Sequence, residues 1–206
     1  MKVRFLILCL FIFSISLGYG QDKAYYNQTE FGAMFGRVEN QWSGEIEERI
    51  NFSMLTFHGA RVSKYHVVGF SLGFDHYENL SIVPIAFGWR GFFGKEGKAQ
   101  LIGGFDIGGG STILEKGEES EWGKSWYEGG IMASPSVGAY FPDLNGKTAL
   151  TLTLAFKSQE LSYFSGSYNR QGTMPFPSSQ LPPGFNSLTE TDYLFQSLVL
   201  RLGLSF

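Results

Sequence analysis

In the last nine residues of the chain, 198–206, every second residue is leucine or phenylalanine. The residues between them are valine, arginine, glycine and serine. In an extended strand, successive side chains point to opposite sides. A strand that crosses a bilayer needs one face against lipid and the other against the interior of a barrel. The alternation therefore predicts a membrane strand. Its lipid-facing residues would be Leu198, Leu200, Leu202, Leu204 and Phe206.

The same alternation recurs along the chain and predicts eight strands in all. In the third strand, for example, Phe70 and Leu72 fall on one face, and Ser71 and Gly73 fall on the other. Most of the segments are long enough to cross a hydrocarbon layer, which takes about 9–11 tilted residues. The predicted strands lie near residues 28–38, 48–62, 65–75, 80–93, 98–110, 125–141, 147–163 and 191–206.

Two prolines, Pro84 and Pro135, fall inside the predicted fourth and sixth strands. Proline has no backbone N–H to donate to a strand ladder, and it is normally confined to edges or bulges. Because a closed barrel has no edges, we expect each proline at a bulge or near a rim.

The connections between the predicted strands differ in length according to the side on which they lie. With both termini on one side, the tight turns all fall on that side and the longer loops on the other, although residues 76–79 form a short connection among the latter. Short periplasmic turns and longer external loops are typical of outer-membrane barrels. The tight turns are 62–64, 94–97 and 142–146, and the longer loops are 39–47, 111–124 and 164–190.

Residues 1–20 have the pattern of a secretory signal peptide, with two basic residues before an apolar run at 5–17. That run is shorter than the roughly 20 residues of a membrane-spanning helix, although an uncleaved anchor is the alternative. We therefore predict a signal peptide at 1–20 and a mature domain at 21–206. The sole cysteine, Cys9, lies in the signal peptide, so the mature chain would have no disulfide, thiolate metal site or cysteine nucleophile.

Composition narrows the choice of partners. Removal of the signal peptide would leave 14 basic and 19 acidic residues, a net charge of 14 − 19 = −5. Without a basic stripe, nucleic acid is not expected as a partner. The 27 glycines and 20 phenylalanines suit a small barrel, in which glycine makes room inside and aromatic residues surround the outside.

With its signal peptide, alternating strands and C-terminal aromatic residue, the chain resembles the small outer-membrane β-barrel proteins of the OmpA/OmpX type, over residues 26–206. The resemblance implies an all-β fold, an eight-stranded antiparallel up-and-down transmembrane β-barrel. It also implies a place among the lipids of the bacterial outer membrane, with both termini periplasmic. The segment from Leu198 to Phe206 would be read by the outer-membrane insertion machinery. The resemblance is silent about activity, because one fold hosts many functions.

An eight-stranded barrel has an interior that side chains just fill. Charged residues on the inward faces must pair or contact water, because isolated buried charges are costly. We predict a polar network that plugs the lumen, and a continuous water channel is the alternative. The charged residues assigned to this network are Glu30, Arg90, Asp106, Glu128, Lys157 and Arg201.

One cluster at the outer end of the third strand has groups suited to catalysis. Ser71, Asp75 and His76 would supply a nucleophile, an acid and a base for an enzyme that cleaves or transfers an acyl chain of a surface lipid. The alternative is a short polar loop at the headgroup level, because proximity in sequence establishes no hydrogen bond between such groups.

The longer loops are candidates for binding. In the last one, Tyr168, Phe176 and Phe185 could contact an extracellular ligand, or could fold over the mouth of the barrel. The acidic run at 114–121 could bind Ca²⁺, but it lacks the spaced carboxylates of an EF-hand loop and is read as a solvated charge run. We expect no metal and no cofactor.

These observations support three hypotheses of function. The first is an integral outer-membrane barrel without catalytic activity, which has a structural role or interacts with partners at the cell surface. The second is a lipid-modifying enzyme on the same barrel. The third is a soluble secreted barrel that binds an apolar ligand inside, with its apolar faces turned inward.

Overall fold

The computed structural model describes residues 25–39, 46–78, 80–143, 148–168, 181 and 184–206. The predicted signal peptide at 1–20, like the alternative of an uncleaved anchor, lies outside these residues. In the part of the chain that is described, no helix is long and apolar enough to cross a membrane.

The described residues form eight long strands and one strand of two residues. Two connections, at 62–65 and 94–99, join strands at the end of the barrel where Asn27 and Phe206 exchange backbone hydrogen bonds. The strands are β1 (Tyr25–Glu39), β2 (Ile46–Arg61), β3 (His66–Tyr77), β4 (Leu80–Phe93), β5 (Gln100–Ser111), β6 (Glu118–Glu119), β7 (Gly123–Pro142), β8 (Ala149–Tyr168) and β9 (Phe185–Ser205).

The eight long strands close into an antiparallel ring. Each pairs with its neighbour along the chain, β5 pairs with β7, and β9 returns to pair with β1. The two-residue β6 pairs with β7 alone. The predicted fold is therefore confirmed as an all-β, up-and-down barrel of eight strands.

The register of the ring gives the tilt of the strands. Successive paired residues lead from Ala149 through Ser205, Gln28, Phe57, Ser71, Ala86, Gly108 and Met132 to Gln159. The path returns to β8 at Gln159, which is 159 − 149 = 10 residues beyond its start at Ala149. In a ring of eight, this stagger corresponds to a tilt of about 40°, which is usual for transmembrane barrels.

The apolar faces of the strands point outward. On β9, Leu200 is 46 % exposed and Leu202 is 54 % exposed. Arg201, which lies between them, and Val199, which precedes them, are buried. The same holds on β8, where Leu150, Leu152, Leu154 and Phe156 face outward. The hypothesis of a soluble barrel with its apolar faces inward is therefore wrong, because the apolar side chains cover the outer wall and charged ones are enclosed.

A bulge in β7 reverses the direction of its side chains. Gly129 pairs with Leu161 and Met132 with Gln159, so β7 has one more residue than β8 between these pairs. An extra residue in a strand turns the side chains that follow it to the opposite face. The assignment of Glu128 to the lumen is wrong for this reason. Glu128 is exposed on the outer face, whereas Tyr127 packs inside.

The two prolines do not cause this bulge. Pro84 pairs with Gly110, and Pro135 pairs with Phe105, each in the middle of its strand. On the other side of each proline, two residue pairs drop out of the ladder, but the register is the same before and after. The expectation of a bulge or a rim position at each proline is wrong, since each interrupts the ladder on one side without shifting it.

The strands β8 and β9 are longer than predicted. The connection placed at 164–190 is reduced, because β8 continues to Tyr168 and β9 begins at Phe185. The outward-facing apolar side chains form a belt around the ring, which we call the apolar belt. Three strands continue past this belt, and we refer to their extensions as the projecting wall. The projecting wall comprises residues 123–130 of β7, 158–168 of β8 and 185–196 of β9. The barrel is therefore taller on this side than at β3 and β4.

Candidate functional site

The charged side chains in the lumen form separate pairs. Arg90 donates two hydrogen bonds to Asp106, at 3.1 Å to Oδ1 and 3.0 Å to Oδ2. Ser71 donates a third to Asp106 Oδ1 at 2.5 Å, and the Arg90 guanidinium lies 4.4 Å from the centre of the Phe57 ring. All of these residues are buried. The Arg90–Asp106 pair is satisfied as a buried ion pair must be.

A second ion pair crosses the lumen from β8 to β3. Lys157 donates to Asp75, which also accepts a hydrogen bond from Ser53 at 2.8 Å. Both charged side chains are at most 2 % exposed. Sequence reasoning placed Asp75 in a catalytic set and therefore missed it as the partner of Lys157. The inward position of Asp75 in the alternation of β3 was the available signal.

Glu30 is held mostly by neutral donors. Its Oε1 accepts hydrogen bonds from Gln28 at 2.9 Å and from Thr153 at 2.8 Å. Arg201 is also buried, and its Nε has no hydrogen-bond partner among the described residues. Of the predicted lumen residues, the structure thus buries five inside the barrel: Glu30, Arg90, Asp106, Lys157 and Arg201.

Two apolar clusters pack in the lumen together with these charges. The lower apolar layer, near the chain termini, packs Tyr140 against a buried cluster. The upper apolar layer contains Tyr77 and Leu161 from the opposite end of their strands. The buried members are Tyr26, Phe57, Val67, Phe92 and Ile102 in the lower layer, and Met34, Tyr77, Leu80, Ile82, Ala155, Leu161 and Val199 in the upper one. On β8, Lys157 lies between Ala155 and Leu161, so the upper layer flanks its ion pair on both sides along the strand.

The predicted catalytic set is not brought together. Ser71 and Asp75 point into the lumen, where each is engaged in an ion-pair cluster, whereas His76 is exposed on the outer face. The His76 ring stacks on Phe74, and its Nδ1 lies 3.1 Å from Ser81 Oγ. Since consecutive residues of a strand point to opposite faces, Asp75 cannot orient the imidazole of His76.

The projecting wall carries a group of aromatic side chains. Trp126 stacks on Phe164 at 5.2 Å between ring centroids, and Phe185 lies 6.1 Å from Trp126. Tyr168 is 5.2 Å from Phe185, so two of the three predicted loop residues meet on paired strands. The third, Phe176, lies outside the described residues.

Polar contacts surround this aromatic group. Trp126 donates from Nε1 to Glu128 at 2.8 Å, and the Tyr168 hydroxyl donates to Glu119 at 2.8 Å. The hydrogen bond to the Glu119 carboxylate raises the pKa of the Tyr168 phenol, because ionisation would break the bond. On the neighbouring strands, Ser162 donates to Asp192 at 2.6 Å. Such an outer surface suits water rather than lipid.

Metal-binding geometry does not occur in the described part of the chain, where no three His, Cys, Asp or Glu side chains are grouped around a common point. The acidic run at 114–121 makes local contacts instead. Its Glu115 accepts a hydrogen bond from the backbone N–H of Ser81 at 2.5 Å.

The sequence matches no protein-family model and no curated protein. Among solved structures, the chain is similar to outer membrane protein AlkL, determined by solid-state NMR in DMPC lipid bilayers. The TM-score is 0.47, the identity is 12 %, and 92 % of each chain is covered. It is also similar to the translocator domain of the autotransporter NalP from Neisseria meningitidis. There the TM-score is 0.33, the identity is 12 %, and the match covers 100 % of this chain and 95 % of the other.

These likenesses concern the fold, and the description of the chain as a membrane barrel rests on its closed ring and its outward apolar belt. The narrower OmpA/OmpX type stays a prediction.

Proposed function

We propose that this chain is an integral barrel of the bacterial outer membrane, with no catalytic role, that interacts with partners at the cell surface through its projecting wall. Both termini would be periplasmic, and Leu198, Leu200, Leu202, Leu204 and Phe206 would be read by the insertion machinery before they contact lipid. The observation that carries the proposal is the projecting wall, where aromatic and polar side chains are grouped on the outer face beyond the apolar belt.

The closed lumen supports this role over transport of solutes. Two apolar layers and two buried ion pairs occupy the inside of the ring. Eight strands give an interior that side chains fill, whereas aqueous channels are found at about 16 strands. The available surface for recognition is then the outside of the projecting wall, where aromatic anchors of the kind that dominate binding energy are grouped.

Surface labelling on intact cells tests location and orientation. A cysteine at Glu190, on the exposed end of β9, should react with a membrane-impermeant maleimide. A cysteine at Lys64, in the turn between β2 and β3, should react only after the outer membrane is permeabilised. The reverse pattern would contradict the orientation. Recovery of the protein in the soluble periplasm would contradict the proposal altogether.

A photo-crosslinking residue tests the surface interaction. Placed at Tyr168 in the projecting wall, it should give adducts with molecules outside the cell, and these should disappear when Trp126 is changed to Ala. The matched control is the same residue at Lys64. If both positions give the same adducts, or Tyr168 gives only adducts with membrane lipid, the projecting wall is not an interaction surface.

A further inference from the structure

The wall of the barrel has a gap between its first and last strands. β1 and β9 pair from Gln28 with Ser205 up to Gly36 with Ser197. Beyond that point, the described residues of β9 pair with β8 alone, and those of β1 pair with β2 alone. The gap lies at the top of the apolar belt, where Leu198 and Phe35 face outward.

A cavity of about 320 Å³ opens into the gap from the inside. Arg49, Asn51, Tyr77 and Phe195 are among its lining residues. Arg49 Nε and the Tyr77 hydroxyl are buried, and neither has a hydrogen-bond partner among the described residues. Buried polar groups are nearly always hydrogen-bonded. Two unsatisfied donors at one cavity therefore indicate that an acceptor belongs there.

A groove on the outer surface continues this cavity through the wall. The two share Gly36, Arg37, Arg49, Gln196 and Ser197 as lining residues. On the outer side, the groove is lined by the apolar side chains Phe35, Ile50, Phe156 and Leu198. Gly36 leaves the opening free, since an added Cβ would lie 3.2 Å from Ser197 Oγ. Arg49 and Asn51 thus supply polar groups on the inside, and four apolar side chains lie along the groove on the outside.

The charges at the gap favour an anion. Arg37 lies 3.5 Å from Glu48 on the exposed outer side, so the charge of each is matched by the other. Arg49 makes no ion pair with a described residue, and it lines the cavity together with Tyr77. A guanidinium binds carboxylate and phosphate oxygens through paired hydrogen bonds.

We propose that the gap binds an anionic amphiphile. Its head group accepts hydrogen bonds from Arg49 and from the Tyr77 hydroxyl, and its acyl chain lies in the outer groove along Phe35, Ile50, Phe156 and Leu198. A fatty carboxylate and a lipid phosphate share this chemistry. This site is separate from the aromatic group of the projecting wall, so the two proposals can fail independently.

Equilibrium dialysis of the purified full chain in a neutral maltoside detergent tests the proposal. The probes are radiolabelled palmitate, dodecyl phosphate and uncharged hexadecanol, each measured above its partition into empty micelles. We expect saturable binding of at least one anion and none of hexadecanol. Binding of palmitate alone identifies a carboxylate ligand, binding of dodecyl phosphate alone identifies a phosphate ligand, and binding of both shows that the site reads the charge.

Four variants locate the site. Arg49→Met should weaken binding of the anion about tenfold or more, and Tyr77→Phe should weaken it several-fold, as expected for lost bonds to a charged group. Gly36→Leu should block the opening and abolish binding. Lys64→Met removes a positive charge from an exposed ion pair in the turn between β2 and β3, outside the site, and should leave affinity within about twofold.

Heat-modifiable migration on gels shows which variants fold. Should Arg49→Met fail to fold, Arg49→Lys and Gly36→Leu decide the matter, because the first keeps the charge and the second leaves Arg49 intact. The proposal is overturned if no anion binds above the micelle background. It is equally overturned if hexadecanol binds as well as palmitate, or if the folded Arg49 and Gly36 variants bind like the wild type.

Discussion

Lys157 and Asp75 illustrate how single residues hold this barrel together. Each is almost fully enclosed, and they meet across the lumen from β8 and β3. The mutual attraction of such a pair offsets the cost of removing two charges from water, and the loss of either partner leaves the other uncompensated. Arg90 and Asp106 form an equivalent pair beside them.

Lys157→Met should lower the free energy of unfolding by about 3–5 kcal/mol, because it leaves the buried Asp75 carboxylate with Ser53 as its remaining side-chain donor. The double variant Lys157→Met/Asp75→Leu should recover most of this loss, since no buried charge remains. Urea unfolding in lipid vesicles, followed by tryptophan fluorescence, gives both values.

The control for this cycle is Lys64→Met, which removes an exposed partner of Glu96 and should cost less than about 1 kcal/mol. Equal costs at Lys157 and Lys64 would show that the buried pair contributes no more than the surface pair.

At the scale of whole strands, the bulge in β7 decides which side chains face the lumen. It lies at the pair Gly129 and Gly130, where a Cβ at Gly129 would collide with the carbonyl oxygen of Gly110. A residue with a side chain would not fit at Gly129 without a shift in the neighbouring strand. Above the bulge Glu128 points outward, and below it Met132 points inward.

Deletion of Gly130 should remove the bulge and turn residue 128 toward the lumen, because a shift of one residue reverses every side chain beyond it. In intact cells, a cysteine at Glu128 should react with an impermeant maleimide, and the deletion should reduce that labelling strongly. A cysteine at Glu160, on the outer face of β8, should be labelled in both backgrounds. Unchanged labelling at residue 128 would mean that the bulge does not set its direction.

The outer faces of the strands could be predicted from the sequence, whereas their upper ends could not. Contact with lipid requires apolar residues at every second position, so the alternation from Leu198 to Leu204 predicts that the leucines face outward. The segment from Phe164 to Tyr168 mixes serine, glycine and aromatic residues without alternation, because water contacts it on the outside. This segment is a strand because it pairs with β9. Such pairing cannot be predicted from the sequence of the segment alone.

The candidate sites were predictable to a similar degree. Five of the six charges predicted for the lumen are buried there, because a charged residue opposite the lipid-facing residues of a strand must face the interior. Which charges pair with one another could not be predicted, since Lys157 and Asp75, for example, are far apart in sequence and meet only once the ring closes. The gap beside Gly36 was missed for the same reason. It depends on where the pairing of β1 with β9 stops.

At the scale of the whole molecule, the interior is layered, with one apolar cluster near the chain termini and a second toward the opposite end of the strands. An ion that traversed the lumen would have to give up its hydration where apolar side chains pack, and this is costly. The layers therefore favour the plugged lumen over the continuous water channel.

Purified protein in planar lipid bilayers should accordingly show no sustained conductance steps under an applied potential. A porin of about 16 strands, reconstituted in the same bilayer, serves as the positive control. Stable, reproducible steps from the wild-type chain would contradict a closed lumen and would reinstate the channel.

The unequal height of the ring gives the molecule a front and a back. β9 has 21 residues and β3 has 12, so one side of the barrel stands up to about 20 Å taller than the other. The step down from the tall side falls between β9 and β1, at the gap. A soluble partner bound to the tall side would therefore lie directly above the gap. A lipid would reach the same gap from the membrane. The same side of the barrel would thus contact both an aqueous partner and a membrane lipid.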